Sequence, residues 1–494
     1  KLGGSGMSDA KLHNIPAVYL IALNSTMSIG NAPLQDVSEH GMNIVPQIEA
    51  ELGEGCVVID SIHTLEDGLR RAQRVLKRSK PVAIAFHPDV LSRPADASVP
   101  WTSRPRTFAA RDVSDFLEEF PRVARGRRVI VYVGGEAAFA PDIRRLTTSL
   151  SELLHAPTVW SVNGANAVSP SNRWGYGYIS FGGNDAAMDL WKSVTTEDVV
   201  ITLGFDAGEY SLNLAKINAG HVYHFTDLRD AYGHKHGEFR HRVGHEYRLV
   251  RGDIGFVLEE VLRRLPSALG ERLVPATAPA PDRLNRREVS RDVRPGTVDA
   301  VEFYGRLHRA WRPNSIGFDD VCTAYKDRQY VAQRPSENIR FFTTHDGSAM
   351  GGAFGLGIGA KAADPSLHTF VFTGDGCWRL FGGTLADAAN LDLRVFVVNN
   401  GVYGIVDKGL EVIIPDVPKR QYHSKLPSID FVKAAEAHGW DGVRVAPDLS
   451  NLADIVDACY ERRGRSLLVE VPIDADQMLG LNPRLNNLTT KTYL

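Results

Sequence analysis

Two short clusters near the C-terminal end carry the residues best suited to chemistry. They are Gly374-Asp375-Gly376 and Asn399-Asn400, with Asn400 standing 26 positions after Gly374. Asp375 offers a hard carboxylate oxygen and Asn400 a side-chain carbonyl oxygen. Such ligands suit Mg²⁺ or Ca²⁺, and those ions bridge to phosphate oxygens. The flanking glycines let the backbone approach an anion closely, and the N–H groups at a helix start favour negative charge.

Two ligands so far apart in sequence need two strand ends on one edge of a sheet. The local order reads strand, Gly-Asp-Gly turn, helix, strand, Asn-Asn. A parallel sheet delivers both strand ends to the same edge, where ligands bind. The strands are Thr369-Phe370-Val371-Phe372-Thr373 and Val395-Phe396-Val397-Val398, followed later by Leu467-Leu468-Val469-Glu470-Val471.

The same α/β pattern recurs upstream. Residues 1–95 contain strands at Ala17–Leu23, Cys56–Ile59 and Pro81–Phe86, with a helical pattern over Thr64–Ser79. Residues 105–273 contain strands at Arg128–Val133, Asp198–Leu203 and Val222–Phe225. Runs of β-branched residues alternating with helices indicate parallel sheets covered on both faces. The Pro/Ala-rich stretch Val274–Pro281 opens a linker over 274–296, and residues 297–494 form the third segment with a C-terminal tail. The expected fold is therefore α/β with three parallel-sheet domains.

Composition excludes several classes. The chain has 494 residues, 43% of them hydrophobic, and a net charge of −3, so nothing points to a nucleic-acid binder. Apolar stretches such as Ile15–Leu23 are too short to span a bilayer. No charged-then-apolar signal peptide is seen. Cys56, Cys322, Cys377 and Cys459 are scattered and form no CxxC pair, which favours a reducing compartment and a cytoplasmic location. Lys1-Leu2-Gly3-Gly4-Ser5-Gly6 before Met7 reads either as an artificial linker or as native chain continuing from further upstream.

The Gly374–Asn400 spacing resembles the metal-diphosphate signature of thiamine diphosphate enzymes of the acetolactate synthase and pyruvate decarboxylase superfamily. Gly347-Ser348-Ala349-Met350-Gly351, then Gly355-Leu356-Gly357-Ile358-Gly359-Ala360-Lys361, is similar to the glycine-rich stretch that precedes that signature, and Asn399–Gly404 is similar to its second half. Gly355–Gly359 lacks the GxGxxG spacing of a dinucleotide loop. Upstream, Gly6–Ala10 with Asn14–Val18, and Lys80–Val90, resemble parts of the family's pyrimidine-binding domain.

The resemblance implies the domain order pyrimidine-binding (incomplete), central and diphosphate-binding. It implies thiamine diphosphate with Mg²⁺, held by Asp375, Asn400 and the backbone carbonyl of Val402. Gly374, Gly376, the Cys377 backbone and Tyr403 would line the cofactor. Met350 would be the wedge under it, and the Ser348 carbonyl would receive its exocyclic amine. Gly30–Asp36 resembles the stretch that carries an active-site glutamine, which falls on Gln35 and would orient an acceptor; a structural amide is an equal reading of that residue. The implied assembly is a homodimer or homotetramer with each cofactor between two subunits.

The pattern breaks at the family's activating glutamate, which would align before Lys1, so no residue of this chain takes that role. Four explanations stand: the chain is incomplete at its N-terminus, a partner chain supplies the half domain, the enzyme works without the glutamate, or the protein is catalytically dead. An isolated half domain would bare apolar strand edges, which favours the first two. The tandem histidines of pyruvate decarboxylase-type enzymes are also absent, with Ser25-Thr26-Met27-Ser28-Ile29 in their place and His40 the nearest histidine. This tilts the expected reaction toward decarboxylation of a 2-oxo acid followed by carboligation. Aldehyde release and a non-catalytic subunit are the alternatives.

Elsewhere, His234, His236, Glu238, His241, His245 and Glu246 fit neither HExxH nor a zinc finger and read as a solvated loop and helix. Val133-Gly134-Gly135 after a strand is compatible with FAD or another nucleotide, but nothing further supports it. Asp407, Lys408 and Glu411 read either as surface charges or as part of a stretch over the active site.

Overall fold

The computed structural model describes residues 3–95, 99–205, 208–213, 215–228, 243–269, 277–461, 464–480 and 482–485. The chain divides into two compact units. One holds the residues up to Arg106 together with Asp346–Ala349; the other contains Thr107–Asp227, the described part of 237–345, and the chain from Met350 onward.

The smaller unit is a three-stranded parallel sheet. Its strands are β1 (Val18–Ala22), β2 (Cys56–Ile59) and β3 (Val82–Phe86), in the order β1-β3-β2. The helix Leu65–Leu76 carries an apolar stripe, Leu65, Leu69, Ala72, Val75 and Leu76, that packs on Val57, Ile59, Val82 and Ile84. The opposite face is covered through Ile48 of the helix Ile44–Leu52, which meets Cys56 and Ala83. The first cover stops short of β1. Val18 and Leu20 share that face with their register partners Val82 and Ile84, yet are 47% and 71% exposed.

The larger unit contains two six-stranded parallel sheets. The central sheet has β4 (Val129–Val133), β5 (Thr158–Trp160), β6 (Gly175–Tyr178), β7 (Val199–Leu203), β8 (His221–Thr226) and β9 (Glu246–Arg251), in the order β6-β5-β4-β7-β8-β9. The C-terminal sheet has β10 (Ser315–Asp319), β11 (Ile339–Thr343), β12 (His368–Gly374), β13 (Leu393–Asn399), β14 (Asp441–Arg444) and β15 (Leu467–Pro472), in the order β11-β10-β12-β13-β15-β14. The fold is thus α/β with three parallel sheets. All nine strands read from sequence are present. The other six, β5, β6, β9, β10, β11 and β14, were not apparent there.

One reading needs correction. His245 lies in a bend, but no helix follows it: Glu246 opens β9, where the exposed Glu246, Arg248 and Arg251 are interspersed with the more buried Tyr247, Leu249 and Val250. Pairing with all of β8 wins over the local polarity. His234, His236, Glu238 and His241 lie outside the described residues.

Two features join the sheets of the larger unit. Asn163 exchanges two hydrogen bonds with the backbone of Thr343, its Nδ2 donating to the carbonyl at 3.1 Å and its Oδ1 accepting from the amide at 3.0 Å. Asn166 does the same with Phe341, at 2.6 and 3.0 Å. The two amides thereby occupy the open edge of β11 as a short strand would. The helix Ala324–Ala332 is buried from Ala324 to Tyr330 despite its charges. Lys326 Nζ donates to Asp327 and to the Gly480 carbonyl, Asp327 accepts the amides of Leu479 and Gly480, and Arg328 pairs with buried Asp319. The Arg328 guanidinium also lies 3.4 Å from the Phe341 ring centre. The described part of the 274–296 stretch is bonded along its length, with the Ala280 amide donating to the Arg173 carbonyl and the Leu284 amide to Gln333.

Candidate cofactor and metal site

The strand order of the C-terminal sheet reverses between β10 and β12. Successive strands run from β10 outward to β11 on one side, and through β12, β13 and β15 on the other. Such a switch point leaves a crevice at the carboxyl ends of the strands, where ligands bind in open α/β sheets. β12 ends at Gly374 and is followed directly by Asp375; β13 ends at Asn399 and is followed by Asn400. The two strands are in register up to Gly374 and Val398, so the two halves of the motif emerge side by side.

They are joined by one bond. Asp375 Oδ2 accepts the Gly401 amide at 2.9 Å. Asn400 Oδ1 accepts the Val402 amide at 3.0 Å, which turns its carbonyl oxygen back over its own loop. The Asp375 carboxyl is buried, and burial pushes it up to about 6 against the smaller opposing effect of the Gly401 and Gly376 amides. A divalent cation would add positive charge to the weak influence of Arg379 on this carboxylate, and Asp375, Asn400 and a loop carbonyl are the oxygen donors such an ion takes. The residues present therefore fit a metal-diphosphate site.

Packing fixes the turn. A Cβ placed on Gly376 would lie 2.6 Å from the Tyr403 ring, so only glycine lets that ring close over the turn. The segment Ser424–Leu426 clamps the second loop. The Tyr403 amide donates to the Ser424 carbonyl at 2.8 Å, the Leu426 amide to the Gly401 carbonyl at 2.9 Å, and Val402 bridges to Lys425. Ser424 Oγ donates to Asp407 at 2.6 Å, which ties the clamp to the helix Gly404–Ile413. Asp407 thus has a structural partner, while Lys408 bonds Asp476 at 2.8 Å and pairs with Glu411 at 3.5 Å.

The Cys377 thiol faces the Val321 carbonyl at 3.2 Å, and burial pushes it up to about 12, which leaves it unreactive. Met350 is half-exposed just before the helix Gly352–Ala363, whose glycines bring it close to the sheet: a Cβ on Gly357 would lie 2.7 Å from Val371. Ser348 has φ 49° and follows Gly347, which in the smaller unit lies so close to Asp9 that a Cβ would meet Oδ1 at 2.1 Å. Gln35 also belongs to the smaller unit and is exposed with φ 56°. The larger unit therefore gathers Gly374, Asp375, Gly376, Cys377, Asn400, Val402 and Tyr403 at adjoining strand ends.

Three residues at this edge were not singled out in the sequence: Asp320, Ser424 and Glu470. Asp320 follows β10 and is fully buried. Burial raises its carboxyl above the ordinary range, opposed by donors from Thr373, Val321 and Gly351. The signal was the pair Asp319-Asp320 at the end of a short strand, hidden because Ser315–Asp319 is neither long nor rich in β-branched residues. In the central sheet, Gly134 meets the backbone of β7's end, where a Cβ would lie 2.3 Å from the Gly204 carbonyl oxygen. That gives Val133-Gly134-Gly135 a packing role, and Glu136 just beyond accepts from Thr226 and the Asp227 amide at 2.6 and 2.7 Å.

Comparison with known proteins agrees with this geometry. Residues 325–471 match the C-terminal TPP-binding domain of thiamine pyrophosphate enzymes. Acetolactate synthase of Mycobacterium avium is 22% identical over 96% of this chain and 75% of its own length. The acetolactate synthase isozyme 1 large subunit of Escherichia coli is 21% identical over 96% of this chain and 80% of its own length. The 2-oxoacid:ferredoxin oxidoreductase subunit beta of Saccharolobus solfataricus is 32% identical over 29% of this chain and 47% of its own. The chain is thus similar to thiamine pyrophosphate enzymes over its C-terminal domain and to acetolactate synthases along nearly its whole length.

Proposed function

We propose that the chain binds thiamine diphosphate through Mg²⁺ and decarboxylates a 2-oxo acid with carboligation to an aldehyde or a second 2-oxo acid, as an acetolactate synthase-like enzyme. The observation that carries this reading is the bond from the Gly401 amide to Asp375, which unites the two half-motifs at the switch edge. Asp375, Asn400 and the Val402 carbonyl hold the metal. The backbone at Gly376 and Cys377 faces the diphosphate, Tyr403 closes the turn, Met350 supports the cofactor and the Ser348 carbonyl accepts its amine. Gln35 orients the acceptor. Thiamine diphosphate, when bound, supplies the electron sink that decarboxylation requires. No residue of this chain is assigned to activate it.

Calorimetric titration of thiamine diphosphate with Mg²⁺, alongside pyruvate-dependent CO₂ release, tests the reading. Metal-dependent binding by the wild type, lost in Asp375→Ala, is the expected result; no binding by the folded wild type overturns it. Product analysis separates carboligation from aldehyde release.

A second reading has its own support. The uncovered β1 face with Val18 and Leu20 favours cover from further chain, whether another subunit or a partner supplying additional strands. This accords with a half-site subunit in a homodimer, a homotetramer or a mixed assembly. Among the described residues the cysteines at 56, 322, 377 and 459 form no disulfide, and a cytoplasmic location is part of the proposal. Among the described residues no helix is long and apolar enough to cross a membrane.

A further inference from the structure

Asp320 sits on the other side of the switch point from the motif, at the end of β10, and its carboxylate gathers three chain segments. Its two oxygens lie 2.9 and 3.1 Å from the Gly351 amide, which immediately follows Met350. Oδ2 also accepts the hydroxyl of Thr373, the residue before Gly374, at 2.8 Å. Oδ1 accepts the Val321 amide at 2.9 Å, and the Asp320 amide itself donates to the Phe372 carbonyl at 2.8 Å. Gly351 has φ 85°, in the left-handed region that glycine adopts freely, and the Asp320 carboxylate holds its amide there. A neutral amide at position 320 could not reproduce this. Asn offers one acceptor oxygen, and its NH₂ would face donors.

The geometry points to Asp320 as a positioning residue that fixes the Met350–Gly351 turn against the Gly374-Asp375-Gly376 turn, so that wedge and metal loop form one preorganised cradle. The cradle role rests on the thiamine diphosphate reading above; the anchoring of the turn does not. Asp320 touches no cofactor atom in this account. It acts through the backbone at Gly351 and the hydroxyl of Thr373, and preorganisation of this kind governs affinity more than contact number does.

The test compares Asp320→Asn with Asp198→Asn, a buried carboxylate of the central sheet bonded to Arg128 and remote in sequence from the cradle. Hydrogen exchange of the apoprotein is followed over residues 347–356, and thiamine diphosphate affinity is measured with Mg²⁺. Asp320→Asn is expected to speed exchange over 347–356 and weaken affinity, each about tenfold. Asp198→Asn is expected to lower the melting temperature and leave both unchanged. Should Asp320→Asn not fold, Thr373→Val replaces it, with an expected change of about threefold in both readouts. Unchanged exchange over 347–356 in a folded variant overturns the anchoring. Faster exchange with unchanged affinity overturns the cradle role. Failure of the wild type to bind cofactor overturns the functional reading and with it the cradle role, while exchange still decides the anchoring.

Discussion

Glu470 of β15 accepts a hydrogen bond from Asn399 Nδ2 at 2.8 Å, holding the last residue of β13 just before the candidate metal ligand Asn400. Its second oxygen accepts Arg444 Nε at 2.8 Å, and the residue is 2% exposed. Glu470→Ala leaves a partly buried amide without its acceptor and is expected to cost about 2–3 kcal/mol. Glu470→Gln retains an acceptor and should cost roughly half as much. Urea unfolding midpoints distinguish the two.

Removal of a first ligand should weaken cofactor binding more than any outer change. Outer partners of metal sites typically contribute ten- to a hundredfold in affinity. Asp375→Ala and Asn400→Ala are therefore each expected to lower Mg²⁺-dependent thiamine diphosphate affinity by about a hundredfold or more, measured by calorimetry. Binding that survives intact in both would remove them as ligands.

His308 predicts a pH dependence. Burial, reinforced by Arg328 and Arg309, pushes its imidazole down to about 4 from an ordinary value of 6.5. The folded protein therefore favours the neutral ring. That stability is fully present above pH 6.5 and is lost as pH falls toward about 4. After allowance for partial exposure the contribution is on the order of 2 kcal/mol. Melting curves of wild type and His308→Gln should converge as pH is lowered through this window; parallel curves would exclude the residue.

The Arg328–Asp319 pair is buried on both sides. Arg328→Met would strand the carboxylate of Asp319 and is expected to cost about 3–5 kcal/mol. The double change with Asp319→Asn should recover much of that loss. Denaturant titration of the three proteins measures the coupling.

Leu20 offers a test of the uncovered face of β1. Leu20→Lys should leave the fold intact, because the side chain is already exposed, and should shift the chain toward a smaller species in sedimentation. An unchanged mass would exclude that face as a subunit contact.

The Gly374–Asn400 motif was legible in the sequence because it consists of residue types held at a fixed interval, and strands such as Val129–Val133 were legible because both faces are apolar. β10, β11 and β14 were not. Ser315–Asp319 and Asp441–Arg444 contain Gly and charge, and are strands only because neighbouring strands complete their ladders. Asp320 escaped notice for a related reason. An acidic pair after a weak strand has no periodicity, and the importance of Asp320 comes from Thr373 and Gly351, which are distant in sequence. The helix Ala324–Ala332 is buried despite its charged residues because its partners Asp319, Leu479 and Gly480 come from other parts of the chain.

The amides of Asn163 and Asn166 also determine where the chain tolerates being cut. They meet the backbone of Thr343 and Phe341 across 180 and 175 positions of sequence. A fragment beginning near residue 297 would keep all six strands of its sheet, yet would present the rim of β11 with its hydrogen-bonding groups unsatisfied. A bare rim of that kind recruits strands from other molecules. Trimming the chain to its cofactor-binding portion would therefore yield self-associating material, and a soluble fragment needs to retain the stretch around Asn163–Asn166.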